Sequence, residues 1–91
     1  MKMEKILEEI KKIEREIEIK EIELSHCIPY GQYDYIETKV KEGEIISPLE
    51  LRNFARRYST EKELDKLYEN LEKLKDEFRE KREEFFDYLK I

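Results

Sequence analysis

The sequence has few of the residues that interrupt helices or crosslink chains. It contains two glycines, two prolines and one cysteine, Cys27, in 91 residues. A single cysteine excludes a disulfide within the chain, and no apolar run approaches the length of a membrane span or a signal-peptide core. We therefore expect a soluble, cytoplasmic protein that makes no contact with a membrane.

Charge is abundant but nearly balanced. Charged residues make up 47% of the chain, and 19 basic residues against 24 acidic ones give a net charge of −5. Both signs are interleaved with regularly spaced apolar residues, which indicates solvated helix surfaces rather than disorder. The abundance of Glu, Lys and Ile, with few Gly, Pro, Asn or Gln, resembles the composition of a thermophile's protein. A negative balance also argues against a dedicated nucleic-acid binder.

Residues 60–91 are predicted to form one long helix. This stretch has neither glycine nor proline, and its apolar residues recur every three or four positions, as in the seam of a coiled coil, except where Lys81 and Arg82 take the expected place between Phe78 and Phe85. The seam residues are Leu64, Leu67, Leu71, Leu74, Phe78, Phe85 and Leu89. Such a helix needs a partner to cover its apolar seam.

A second long helix is predicted over residues 1–24, because its apolar residues have the same spacing. They are Met3, Ile6, Ile10, Ile13, Ile17 and Leu24. Residues 18–28 are compatible with either a helix or an extended segment, because Ile17 with Ile19, and Ile22 with Leu24, alternate.

Residues 25–47 change in character and predict a loop and a small β-hairpin. Tyr33 and Tyr35 alternate with Ile36 and Val40 in a pattern typical of a half-buried strand. Gly43 would lie in the turn of the hairpin, and residues 44–46 would form its second strand.

Two capping boxes follow. Ser47 and Glu50 enclose Pro48, which predicts a helix start at Pro48. Thr60 and Glu63 repeat the spacing, so we expect a short helix over residues 48–58 and a break before the long one.

The predicted fold is a single, mainly α domain over residues 1–91. It consists of an antiparallel long-helix hairpin, coiled-coil-like, with a small β-hairpin and a short helix inserted between the two long helices. The order helix, hairpin, helix resembles the prefoldin subunits, and this resemblance implies a small chaperone as one alternative function.

The C-terminal end of the long helix is the predicted interface. Phe85 and Phe86 are adjacent and cannot both face one seam, so the apolar surface is too wide for a single partner helix. We expect homodimerisation through Phe78, Phe85, Phe86, Tyr88 and Leu89.

A basic cluster on the short helix is the second candidate site. It consists of Arg52, Arg56 and Arg57, which would contact an acidic partner or nucleic acid. The acidic start of the following helix, Glu61 and Glu63, disfavours a helix-turn-helix.

Other candidate residues carry weaker signals. His26 and Cys27 are metal-ligand and nucleophile types, but no further histidine or cysteine completes a zinc site. Tyr30, Tyr33 and Tyr35 could stack on bases, although tyrosines that pack on neighbours are commoner. We assign no catalytic, cofactor or metal residues.

The sequence therefore favours a non-enzymatic, self-associating module that binds another protein as a regulator, assembly factor or inhibitor. The alternatives are a DNA- or RNA-associated regulator and the prefoldin-like chaperone.

Overall fold

The computed structural model shows three helices: α1 over Met3–Ser25, α2 over Tyr30–Lys41 and α3 over Pro48–Leu89. It describes residues 2–89, and side chains only for residues 2–83. The predicted mainly α class is confirmed, whereas the inserted β-hairpin is wrong, since no strand occurs within residues 2–89. The helix predicted over residues 1–24 is confirmed as α1. Residues 18–25, for which the sequence left helix and extended structure open, are helical.

The chain groups into two compact units. Unit 1 combines Met1–Glu18 with Asp65–Ile91, and unit 2 is the continuous stretch Ile19–Leu64. In unit 1, Ile6 has no exposed surface, and Ile10, Ile17 and Leu71 are buried. Ile13 and Leu67 line one shallow cavity of about 230 Å³, so the two segments of unit 1 lie side by side. Among the side chains that the structure describes, the three-four seam thus marks the core of unit 1.

Unit 2 has its own small core. It contains Tyr33 and Ile36 from α2 together with Thr60 and Leu64 from α3. Ile36 is 1% exposed, which makes it the most deeply buried side chain of this unit among the described residues. The core of unit 2 therefore requires α2, the segment that the sequence pattern assigned to strands.

The residues predicted to form the hairpin fold as helix α2 because the apolar spacing fits a helix equally well. Tyr33 and Ile36 are three residues apart and both are buried, as a helix face requires, whereas a strand would place them on opposite sides. The Thr38 hydroxyl donates to the Asp34 carbonyl at 3.0 Å, a bond between consecutive helical turns.

Gly43 ends this helix instead of closing a hairpin turn. Its φ of +72° is left-handed, a conformation that glycine adopts without steric penalty. The Glu44 N–H donates to the Lys39 carbonyl at 2.9 Å and the Gly43 N–H to the Val40 carbonyl at 3.1 Å. This pair of bonds is a Schellman motif, so Gly43, which we predicted to close a hairpin turn, marks a helix C-terminus.

The start of α3 confirms the first capping box. The Glu50 N–H donates to Ser47 Oγ, and the Ser47 N–H donates to Glu50 Oε1, each at 3.1 Å. The bond from the Ser47 backbone, with further help from the Ser47 side chain and Lys39, lowers the pKa of Glu50. The carboxylate thus remains charged at the positive end of the helix dipole.

The second capping box does not interrupt the helix, so the predicted separation of a helix over 48–58 from one over 60–91 is wrong. Thr60 lies inside α3, where its hydroxyl donates to the Arg56 carbonyl at 2.9 Å instead of capping a new helix. Without glycine or proline between residues 49 and 89, the backbone gains one hydrogen bond per added residue by continuing. A capping pattern therefore starts a helix only where the preceding backbone is not already helical.

We expect Ser47→Ala to lower the free energy of unfolding by about 1 kcal/mol, because an N-cap hydrogen bond is lost at the start of α3. Ser59→Ala is the matched control, since Ser59 is exposed in the helix interior, and it should change stability by less than about 0.5 kcal/mol. Urea titration followed by far-UV circular dichroism measures both. Equal losses in the two variants would contradict the role of Ser47 as the N-cap of α3.

Candidate protein-interaction surface

Helices α2 and α3 are joined in unit 2 by a stack of aromatic rings. The Tyr33 and Phe54 rings lie 4.7 Å apart and nearly parallel, at 8°. The Phe54 ring continues to Tyr58 at 6.2 Å, and Tyr30 lies 6.4 Å from Tyr33 at the other end. Burial, aided by the nearby Glu61 charge, raises the pKa of Tyr33. The stack fixes α2 against the first turns of α3.

Arg57 contacts this aromatic stack and forms hydrogen bonds to the residues around it. Its Nη1 donates to the Ile28 carbonyl at 2.6 Å and its Nε to Glu61 Oε1 at 2.9 Å. The guanidinium carbon also lies 5.8 Å from the Tyr30 ring centre and 5.6 Å from that of Tyr33. Arg57 therefore connects the segment before α2, the rings of α2 and helix α3, and its side chain is only 13% exposed.

The predicted arginine cluster is consequently divided. Arg57 is committed to packing inside unit 2, whereas Arg52 and Arg56 are exposed, and their side chains form no hydrogen bond or ion pair with a described residue. Arg52 and Arg56 remain accessible to a partner, and Arg57 is a structural residue.

The orientation of α3 in unit 2 follows its local sequence only in part. The apolar residues Leu51, Phe54, Ala55 and Tyr58 predict a face that packs inward, yet only Phe54 is half-buried, and the other three are exposed, at 52% for Leu51 and 48% for Tyr58. Arg57 and Thr60 also turn inward, and they continue the three-four spacing of Leu64 backwards along the helix. The continuity of α3 thus sets which face is outward. The spacing of residues 57, 60 and 64 could have identified the inward face from the sequence. The prediction missed this face because it assumed a break in the helix at residue 59.

The outward positions form a stripe with a spacing of four, three and four residues. This basic-apolar stripe consists of Leu51, Ala55, Tyr58 and Lys62, and the exposed Arg52 and Arg56 lie beside it. The Lys62 ammonium lies 5.5 Å from the Tyr58 ring centre, so cation and ring belong to one surface.

The acidic residues at positions 48–63 of α3 all form ion pairs within unit 2. Glu50 pairs with Lys39 at 3.3 Å, Glu61 with Arg57, and Glu63 with Lys20. Bonds from Glu63 and Glu23 raise the pKa of Lys20, as expected for a lysine that gains acidic partners. Over residues 48–63, the charges left without an ion-pair partner among the described residues are therefore Arg52, Arg56 and Lys62. The outward face is locally positive on a chain of net charge −5.

The three candidate tyrosines do not form a common surface. Tyr33 is buried, whereas Tyr30 and Tyr35 are 65% and 59% exposed. Each exposed ring has its own cation, because Arg57 approaches Tyr30 and the Lys39 ammonium lies 4.6 Å from the Tyr35 ring centre. The structure thus gives no stack of Tyr30, Tyr33 and Tyr35 on which consecutive bases could lie.

His26 and Cys27 lie in the connection after α1. His26 is exposed, and the half-buried Cys27 thiol donates to the Glu23 carbonyl at 3.4 Å. No group of three or more histidine, cysteine, aspartate or glutamate residues within the described part of the chain is arranged to hold a metal ion.

The predicted C-terminal interface is described only at its first residue. Phe78 is half-buried in unit 1. Phe85, Phe86, Tyr88 and Leu89 belong to the backbone of α3, but their side chains lie outside the described residues. Their role in an interface remains a prediction.

No helix in the described part of the chain combines the length and the apolar character needed to span a bilayer. The basis of the prefoldin resemblance is lost, because α2 replaces the hairpin on which it depended. No family model matches the chain, and no curated protein or solved structure is significantly similar to it.

Proposed function

We propose that the protein is a non-enzymatic interaction module of the cytoplasm that associates with a second copy of itself. Its role would be that of a regulator, assembly factor or inhibitor of another protein. The thermophile-like composition suits such a module in a host that grows at high temperature.

The outward basic-apolar stripe of α3 is the observation that supports this proposal. Helices normally turn their apolar residues inward, so an exposed row of Leu51, Ala55 and Tyr58 is available for contact with another helix. Its spacing of four and three residues is the spacing with which one helix docks on another. A basic rim beside it favours an acidic occupant, and this chain is itself acidic.

We expect sedimentation-equilibrium runs to show a concentration-dependent dimer of the full chain in the micromolar range. Leu51→Ser removes an apolar side chain of the stripe that is 52% exposed, and it should raise the dissociation constant by about tenfold because the apolar contact with the partner is lost. Ile22→Ser is the matched control, since it removes an apolar side chain that is 56% exposed elsewhere in unit 2. A monomer at high micromolar concentration would contradict self-association.

Nucleic-acid binding is the second candidate, favoured by the exposure of Arg52, Arg56 and Lys62. Fluorescence anisotropy with labelled duplex and single-stranded oligonucleotides tests it. Binding that weakens steeply between about 50 and 200 mM salt and disappears in Arg56→Glu would support this candidate over the first.

A further inference from the structure

A second stripe with the same spacing lies in unit 1, on the part of α3 that follows Leu64. This acidic stripe consists of Asp65, Glu69, Glu72 and Asp76, all exposed, again separated by four, three and four residues. These four side chains, together with Tyr68 and Lys73, line one shallow depression on the surface. Tyr68 is 44% exposed and contributes apolar surface at the edge of the stripe.

We propose that the acidic stripe of one copy docks on the basic-apolar stripe of a second copy. This inference rests on the proposed self-association and identifies its two surfaces. It places helix α3 of one protomer against helix α3 of its partner, with opposite charges facing each other.

The charges of the two stripes are complementary. Arg52, Arg56 and Lys62 lack ion-pair partners among the described residues, and the acidic stripe offers four carboxylates, of which Asp76 has a loose contact of 3.7 Å with Arg79. Even with Lys73 in the same depression the carboxylates are in excess there, so the charges favour the pairing of unlike stripes over the pairing of like ones.

The spacing of the stripes is also complementary. The order four, three, four is the same when it is read in either direction along a helix, so the acidic stripe can run beside the row from Leu51 to Lys62 with its carboxylates on the side of Arg52 and Arg56. Rows of side chains with this spacing fit into the grooves between the rows of a second helix. The rings of Tyr58 and Tyr68 then lose exposed surface on docking.

A charge-swap experiment tests this pairing. One variant reverses the basic side, Arg52→Glu with Arg56→Glu, and the other reverses the acidic side, Glu69→Lys with Glu72→Lys. Each alone should weaken self-association by about tenfold, because like charges then face each other. An equimolar mixture of the two variants should associate more tightly than either variant alone, since the reversed residues of one copy then face the oppositely reversed residues of the other.

The matched control is Lys11→Glu with Arg15→Glu on α1. It makes the same charge change at two exposed positions with the same spacing as Arg52 and Arg56. Circular dichroism melts establish that every variant is folded. A control that weakens association as much as the basic-side variant would show an effect of net charge alone and overturn the pairing.

The remaining outcomes separate the two proposals. A dimer whose affinity neither reversal changes would overturn this pairing and leave self-association intact. A monomeric unmodified chain would overturn both. Oligonucleotide binding that the basic-side reversal abolishes, with unchanged self-association, would assign the basic-apolar stripe to nucleic acid and overturn the pairing.

Discussion

Ile36→Ala is expected to lower the free energy of unfolding by about 3 kcal/mol. Ile36 is 1% exposed, so truncation removes buried methyl groups and leaves a cavity that the surrounding helices fill only in part. For a chain of this length, such a loss corresponds to a fall in melting temperature of roughly 15 °C. Urea and thermal titrations followed by circular dichroism measure the change.

Ile45→Ala provides the control, because it deletes the same atoms at a position that is 96% exposed. Its effect should remain within about 0.5 kcal/mol. The comparison also distinguishes helix α2 from the strand pattern, in which Ile45 would belong to the second strand and contribute to its packing. A loss in Ile45→Ala similar to that in Ile36→Ala would contradict the α2 core.

Arg57→Ala is expected to cost about 3 kcal/mol of stability, which is large for a charged residue. The substitution removes a charge-assisted hydrogen bond to the Ile28 carbonyl, worth about 1.5–3 kcal/mol, and the contacts with two tyrosine rings. It also leaves the Ile28 carbonyl without this donor. Amide hydrogen exchange should show the loss of protection around residues 28–36, in addition to the global change.

Arg56→Ala is the natural control, because Arg56 is the exposed neighbour and its side chain has no partner among the described residues. We expect its stability to match that of the unmodified chain. Arg57→Lys keeps the charge, but a lysine has no planar guanidinium that can bond to Glu61 and to the Ile28 carbonyl at the same time. The Lys variant should therefore restore less than half of the stability that the Ala variant loses. Full recovery in Arg57→Lys would mean that charge alone, and not the geometry of the guanidinium, holds α2 to α3.

Features that depend on near neighbours in the chain were predictable. The three-four spacing of Ile6, Ile10 and Ile17 identified the buried face of α1, because periodicity follows directly from helix geometry. The capping box at Ser47 and Glu50 located the start of α3 to the residue, because both of its hydrogen bonds connect groups three positions apart.

Secondary structure was not predictable where the local sequence fits both a helix and a strand. The run from Tyr33 to Val40 fits both alternation and helical spacing, and Gly43 suits both a hairpin turn and a helix C-terminus. The stack of Tyr33 on Phe54 involves residues 21 positions apart and stabilises the helical solution. A contact of that separation has no signature in a short window of sequence.

The sequence by itself determined the helical class, the apolar seams and the start of α3, because each depends on the periodicity or the hydrogen bonds of adjacent turns. The tertiary structure alone decided that α2 is a helix and that Arg57 and Thr60 face inward while Leu51 and Tyr58 face outward. The physical reason is that α3 continues through Thr60 without a break. A continuous helix cannot rotate one of its turns independently of the next. The buried Leu64 and the contacts of Arg57 therefore determine which face of α3 points into unit 2.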